Sequence, residues 1–309
     1  MKTVYLNKFM SSVVAELEMN GQYGTAHVCG SVLRSVMAFG GEGLPVSGIT
    51  PLWLKAYEGY LLHKGGKGLA WNTVSTYMRM LQAVYNRAVV RKLAAFIPHQ
   101  FRDVFTGRKA DHRRVLERDD MQKLLVEREP DITSPGMAWA RACLELMFRF
   151  HGMPFVDLAH LRKSDLKDGY LTLRRRKTGM PLSARVDGRA MQLLERYRNR
   201  DDTSPYLLCF LDGNLEGMAA YRDYQRILRL LNSRLRVLAL WKKVQGKVTS
   251  YSARHTWATV GRYCHIPIEV ISEGLGHASV TTTEGYMKGF GNSRMDRANK
   301  VIMNYIFKG

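Results

Sequence analysis

The sequence predicts a mainly α-helical protein of two domains that carries one small antiparallel β hairpin. Three observations lead there. Apolar residues recur at helical spacing through the first hundred positions. A single strand–turn–strand signature stands at residues 170–186. A second set of helical stripes then runs to the C-terminus. The chain has 309 residues, enough for two domains of ordinary size, and 46% of them are hydrophobic, enough to give each a core.

Residues 8–20 place Phe9, Val13, Val14 and Leu17 on one stripe, and residues 24–39 do the same with Val28, Val32, Leu33, Val36 and Met37 before Gly40-Gly41 breaks the pattern. Thr50-Pro51 reads as a helix start, with Thr50 as cap and Pro51 in the first position, and the helix runs through Trp53, Leu54, Tyr57 and Leu61 to Lys64. After the loop at residues 65–68, a fourth helix spans Asn72–Leu93. Val74, Tyr77, Met78, Leu81, Val84, Tyr85 and Ala88 form its apolar face, with Arg79, Arg87, Arg91 and Lys92 opposite. These helices define an all-α domain over residues 1–106.

Residues 107–115 are polar, basic and aperiodic. They read as a linker, either a solvated connector or a segment that tracks a phosphate backbone. The second domain, 116–309, opens with a helix capped at Ser134-Pro135 that reaches Phe150, then a short helix at 155–161. The hairpin pairs YLTLRRRK with MPLSARV across a turn at Lys177-Thr178-Gly179. Helices follow at about 188–199, 218–238, 250–264 and 267–275. Thr281 and Glu284 form a T-x-x-E capping-box pattern, and an amphipathic helix over 294–307 ends the chain.

Composition narrows the function. Forty-seven Lys+Arg against 27 Asp+Glu give a formal net charge of +20, which calls for a polyanion partner. Nucleic acid fits better than a membrane surface, because no basic amphipathic helix is set apart from the body of the protein. The four cysteines, Cys29, Cys143, Cys209 and Cys264, are scattered without a CxxC pair. That argues against a zinc site of common spacing and against a disulfide framework, and it fits a reducing cytosol. The N-terminus carries no apolar run of signal-peptide length, and no stretch is long and apolar enough to predict a membrane span.

Metal-free phosphoryl chemistry on nucleic acid would need a nucleophile, cationic donors for the non-bridging oxygens, and an acid for the leaving oxygen. Arginine suits the donor role because its planar fork donates twice and keeps its charge. The last part of the chain offers such a set in order: Arg254 within Tyr251-Ser252-Ala253-Arg254-His255-Thr256-Trp257-Ala258-Thr259, then Gly274-Leu275-Gly276-His277, then Tyr286 in TTTEGYMKG. Singly, an arginine at a helix start is usually a surface residue, a Gly-His a turn, and a tyrosine at helical spacing a core residue. The order and spacing together carry the weight.

The pattern R-H-x-x-A-T, then L-G-H, then a tyrosine nine residues on, resembles the tyrosine recombinase (phage integrase) family. The resemblance covers nearly the whole chain. The N-terminal helices, with NTVSTYMRMLQAVYNRAV, are similar to that family's SAM-like core-binding domain, and the remainder is similar to its α+β catalytic domain. The resemblance implies that Tyr286 is the nucleophile of a 3′-phosphotyrosyl intermediate, that Arg254 is the second arginine of a phosphate clamp, and that His277 is the downstream histidine at the phosphate. Lys177, in RRRKTGMPL, takes the position of the hairpin lysine that protonates the 5′ oxygen.

Two positions depart from the family pattern. Where G-x-R and a following carboxylate are usual, the chain reads Gly152-Met153-Pro154-Phe155-Val156-Asp157, so Pro154 stands in place of the first arginine. Tyr251 replaces the histidine of H-x-x-R, and either donates a hydrogen bond to phosphate or caps its helix as a packed aromatic. Strand alternation puts Arg175 and Lys177 on one face and Arg174 and Arg176 on the other. Arg175 is therefore the candidate replacement, as in a subgroup of conjugative-element integrases that this layout resembles. Arg149 is the second candidate, or else an ordinary helix-face charge.

His255 is expected to be structural and Trp257 to pack beneath the site. His151 and His160 lack a third ligand near Asp157, so no metal is expected, and no cofactor. The implied partners are double-stranded DNA held between two domains, further copies of the chain in a homotetramer on two DNA sites, and accessory DNA-bending proteins. The 294–307 helix would either dock on a neighbouring protomer or pack on its own domain. The implied function is a site-specific recombinase of integrase or invertase type acting in the cytoplasm at the nucleoid. The alternatives are a non-catalytic DNA-binding derivative and a relaxing enzyme of type IB topoisomerase kind.

Overall fold

The four N-terminal stripes become four helices: α1 (Leu6–Met19), α2 (Tyr23–Gly40), α3 (Pro51–His63) and α4 (Trp71–Val90). The computed structural model describes residues 3–109, 115–125, 134–277, 279–284, 287 and 299. Thr50 caps α3 as its sequence implies: its hydroxyl accepts from the Trp53 N–H at 3.1 Å, with Pro51 just inside the helix. Met10, Leu54, Tyr57, Leu61, Met78 and Leu81 are fully buried between the helices. Two of the four cations expected on the polar face of α4 are engaged within this unit, since Arg91 and Arg87 reach Glu16 at 2.7 and 3.8 Å.

The chain divides into two compact units, Met1–Ala110 with Leu215–Tyr221, and Asp111–Asn214 with Arg222–Gly309. Gly107 and Lys109, expected within the linker, are tied to α4. Asn72 exchanges two hydrogen bonds with the Lys109 backbone at 2.8 Å, and the Ser75 hydroxyl donates to the Gly107 carbonyl at 2.6 Å. The Lys109 ammonium also lies 4.3 Å from the centre of the Trp71 ring.

The second unit runs α5 (Arg118–Leu125), α6 (Pro135–Arg149), α7 (Phe155–Ala159), β1 (Leu166–Lys167), β2 (Tyr170–Arg174), β3 (Pro181–Arg185), α8 (Gly188–Arg196), α9 (Gly217–Trp241), α10 (Ser252–Tyr263), α11 (Ile268–Leu275) and α12 (Val280–Glu284). The sheet is antiparallel in the order β1-β2-β3, with Leu171 opposite Ala184 and Leu173 opposite Leu182. Leu171, Leu182 and Ala184 alternate inward onto a core that includes Leu144, Met147, Phe150, Leu158, Leu231 and Leu235. A smaller cluster of Ala258, Ile271, Leu275 and Met287, with Trp257 against it, lies between α10 and α11.

The expected elements form, with corrections at their ends. α5 and β1 were not anticipated: eight residues and two are too short to establish a period, although Asp119 and Asp120 in the first turn of α5 are a helix-start signal. The expected strand stops at Arg174, because the Arg175 N–H bonds the Met180 carbonyl and the Gly179 N–H bonds the Arg175 carbonyl, both at 2.8 Å, closing a turn. Thr281 lies inside α12 and is not its cap. Ser279 precedes the helix, its carbonyl taking the Thr282 N–H at 3.2 Å. Apart from residue 299, the expected helix at 294–307 falls outside the described residues.

Candidate active site

The site is built where the ends of several elements of the second unit meet. α6 ends at Arg149, and the chain turns through Phe150, His151 and Gly152 before Pro154 starts α7. Gly152 has φ +66°, and a Cβ there would come within 2.9 Å of the Arg254 Cα, so only glycine fits. This close approach puts the Gly152 carbonyl 3.0 Å from Arg254 Nη1, which donates to it. Arg254 itself is buried in the first turn of α10.

α11 supplies the second anchor. Its last residue, Leu275, offers a carbonyl that accepts from Arg254 Nη2 at 2.7 Å and also from Arg175 Nη1. Gly276, at φ +61°, ends the helix in the left-handed conformation, and a side chain there would press on Arg175. Two guanidiniums therefore share one backbone oxygen at the negative end of a helix. Like charges held so close repel, and an anion seated on them would relieve that repulsion.

Arg175 is only 6% exposed. It reaches this place because alternation along β2 turns residues 171, 173 and 175 to the same side. Asp157, 2% exposed on α7, fixes it: Oδ2 accepts from Arg175 Nε at 2.5 Å and Oδ1 from the Arg176 N–H at 3.0 Å. One carboxylate thus holds both the Arg175 side chain and the base of the hairpin turn. Arg174 and Arg176 are exposed, as alternation requires. Lys177 is exposed as well, but within the turn, so its placement comes from turn geometry and not from the strand pleat on which it was expected.

His277 follows Gly276. Its Nε2 is 2.7 Å from Arg254 Nη2 and its Nδ1 2.8 Å from the Thr283 hydroxyl on α12. Burial first, then the charges of Arg254, Arg175 and Lys177, pushes the ring pKa down from its usual 6.5 to about 4, so the imidazole is neutral at neutral pH. Tyr286 lies outside the described residues. Met287 is buried against Ala258, Ile271 and Leu275.

The remaining candidates sit elsewhere. Arg149 bonds Glu145 on its own helix at 2.9 Å and Asp187 at 2.6 Å, and is not among the groups that converge on Leu275. Tyr251 is the N-cap residue of α10, 39% exposed, with its ring tilted against His255 at 6.3 Å. His255 is buried there. Trp257 packs against His151, at 5.6 Å between rings, and against Gly274, beneath the site as expected. The His160 Nδ1 is 2.7 Å from the Val156 carbonyl. No group of three or more His, Cys, Asp or Glu side chains suited to a metal ion occurs among the described residues. No helix among them is long and apolar enough to cross a membrane.

Sequence reading missed the Gly152 and Leu275 carbonyls, Thr283, and the attachment of Asp157 to the hairpin. The one visible signal for the carbonyls was a glycine at each spot, Gly152 and Gly276, where a backbone had to approach an arginine.

Comparison with known proteins accords with this construction. A sequence model of the phage integrase family matches residues 114–290, and one of the phage integrase SAM-like domain matches residues 5–102. Tyrosine recombinase XerA of Pyrococcus furiosus is 29% identical over 140 residues, covering 44% of this chain and 46% of that protein, so the match spans about half of that relative's length. A putative integrase/recombinase, y4gC of Sinorhizobium fredii, is 27% identical over 180 residues, 56% of this chain and 88% of that one. Among solved structures, a Tn1549 transposon integrase in complex with transposon right end DNA superposes with a TM-score of 0.66 at 16% identity over 99% of this chain and all of that one. A lambda integrase dimer bound to a COC′ core site gives 0.63 at 16% identity over 94% and 97%. The two units thus carry the same pair of folds, and the chain belongs to the phage integrase family.

Proposed function

We propose that this chain is a site-specific DNA recombinase of integrase or invertase type, acting through a 3′-phosphotyrosyl intermediate. The observation that carries the reading is the convergence of two buried guanidiniums, Arg175 and Arg254, on the Leu275 carbonyl beside a neutral His277. Such a pair is a receptor for one phosphate with two non-bridging oxygens.

The Tyr286 hydroxyl attacks phosphorus and gives up its proton to solvent, the bond from phosphorus to the 5′ oxygen breaks, and Lys177 gives that oxygen its proton. Arg175 and Arg254 hold the two non-bridging oxygens and balance the charge of the pentavalent state. Arg175 thereby fills the role that Pro154 vacates, as in the subgroup without the usual first arginine. A 5′ hydroxyl from a partner duplex then attacks the phosphotyrosine and frees Tyr286. Tyr251, at the mouth of α10, donates its hydroxyl to the same phosphate. The energy of the phosphodiester is kept in the tyrosyl ester, so resealing needs no nucleotide.

The partner is double-stranded DNA, and the net charge of +20 supplies most of the affinity through phosphate contacts. Four copies assembled on two sites, with accessory DNA-bending proteins, complete the reaction at the nucleoid. This assembly accords with the lambda integrase tetramer bound to a Holliday junction, which shares the fold at a TM-score of 0.60 and 15% identity.

The test compares wild type, R175A and R174A in single-turnover cleavage of a labelled duplex, with binding followed by fluorescence anisotropy. R175A is expected to bind nearly as wild type and to cleave at least about a hundredfold more slowly, whereas R174A stays within a fewfold. Equal losses in both variants would refute the assignment of Arg175. Tight binding with no cleavage by wild type would point to a non-catalytic DNA-binding protein, and relaxation of any supercoiled plasmid by a monomer would point to a topoisomerase-like enzyme.

A further inference from the structure

The surroundings of His277 decide which of its nitrogens holds the proton. Arg254 Nη2 lies 2.7 Å from Nε2, and a guanidinium nitrogen can only donate. Nε2 therefore presents its lone pair, and the ring proton sits on Nδ1. Nδ1 is 2.8 Å from the Thr283 Oγ1, so the ring donates to that hydroxyl oxygen. Thr283 is fully buried on α12, three residues ahead of Tyr286 in the sequence.

We propose that Thr283 is a positioning residue: its hydroxyl holds His277 as the Nδ1–H tautomer and reserves Nε2 as the ring nitrogen that gains and loses a proton at the reacting phosphate. The inference rests on the function proposed above and deepens it by assigning the two ring nitrogens different tasks.

The donors around the ring match only one tautomer. With the proton on Nε2 instead, two N–H donors would face each other at 2.7 Å, and Nδ1 would have to take its hydrogen from the threonine. With the proton on Nδ1, both contacts are satisfied. When a phosphate draws Arg254 Nη2 toward its own oxygens and adds negative charge, Nε2 is released and a proton there becomes favourable. The protonated Nε2 then donates to a non-bridging oxygen, while Nδ1–H stays on Thr283 in both states. The ring changes charge without turning. Thr283 also links the ring to the helix that leads into the tyrosine segment, so His277 is fixed by the element next to the nucleophile in sequence.

The experiment uses full-length protein labelled with 15N-histidine, wild type and the variants T283V and T283S, with H277Q to assign the ring signals. Long-range proton–nitrogen spectra of the free protein at neutral pH report the tautomer. Wild type and T283S are expected to show Nδ1 protonated and Nε2 bare, and T283V a mixed or reversed pattern. Valine matches threonine in shape but leaves a buried N–H without an acceptor, which corresponds to about a 10- to 100-fold fall in single-turnover cleavage. T283S restores most of that rate. Losing the acceptor also disfavours the imidazolium, the form that donates to the phosphate, so the alkaline limb of the cleavage profile moves to lower pH in T283V and returns in T283S. A wild-type ring protonated on Nε2 overturns the proposal whatever the activity, because that spectrum is read without DNA. So does a T283V ring that keeps the wild-type tautomer and pH profile. If wild type fails to cleave while its ring is the Nδ1–H form, the proposed function falls and the tautomer assignment stands.

Discussion

Replacing Asp157 by asparagine tests how the arginine at the hairpin is held. Asp157 and Arg175 form a pair whose side chains are 2% and 7% exposed, with 2.5 Å between Oδ2 and Nε. Removing one member of a buried pair costs about 3–5 kcal/mol, because the other charge stays buried without compensation. Asparagine keeps one oxygen for the Arg176 N–H but turns an NH2 toward Arg175 Nε, donor against donor, so the cost should lie near the lower end, about 3 kcal/mol. If the fold bears it, the second unit should melt about 6–12 °C lower. If Arg175 swings away instead, the loss appears as cleavage roughly a hundredfold slower. The double-mutant cycle separates these costs from a general packing defect. In an R175A background Asp157 is already a buried charge without its cation, so D157N there should be neutral or stabilising. The assays are urea denaturation and single-turnover cleavage of the four proteins. The same cost of D157N in both backgrounds, or wild-type stability and rate in D157N alone, would refute the reasoning.

Two further expectations concern protons. K177A should slow cleavage of an ordinary duplex by about 10²–10⁴-fold, and a duplex with sulfur in place of the scissile 5′ oxygen should recover most of that loss, since a thiolate leaves without an acid. Failure of the sulfur substrate to rescue would remove Lys177 from the acid role. His160 and His277 are both held near a pKa of about 4, chiefly by burial, against 6.5 in the unfolded chain. Between those values the unfolded state takes up protons that the folded state refuses, so stability rises with pH across this window and levels off above it. The urea midpoint at pH 5 should lie below that at pH 7.5, and equal midpoints would contradict it.

Much of this was legible in the residues alone. The helices of the first unit could be read because their apolar stripes are long, and Thr50-Pro51 marks a start that the structure realises. Alternation sufficed to send Arg175 inward and leave Arg174 and Arg176 outside, since the pleat of β2 continues one residue beyond its last paired position. It did not suffice for Lys177, because the chain had already turned. What sequence could not reveal are partners that lie far apart along the chain or belong to the backbone. Asp157 meets Arg175 across 18 positions, and Leu275 is useful for its carbonyl, which every residue possesses. Pro154 shows the same limit from the other side. It marks a missing charge, but only the packing of α7 against the hairpin reveals that the carboxylate after it holds an arginine from another element. The sequence context of Tyr251 suits two roles, a phosphate donor or a packed aromatic cap, and the structure sets it at the N-cap of α10 with its ring partly exposed.

The central claim is that Tyr286 joins this protein covalently to DNA. The direct measurement is a trap with a nicked suicide duplex carrying the protein's own site, resolved on a denaturing gel with a metal chelator present, comparing wild type with Y286F. A protein–DNA band in wild type that is absent in Y286F is the expected result. A band of equal strength in Y286F, or none from a wild-type protein that binds the duplex tightly, would contradict the account.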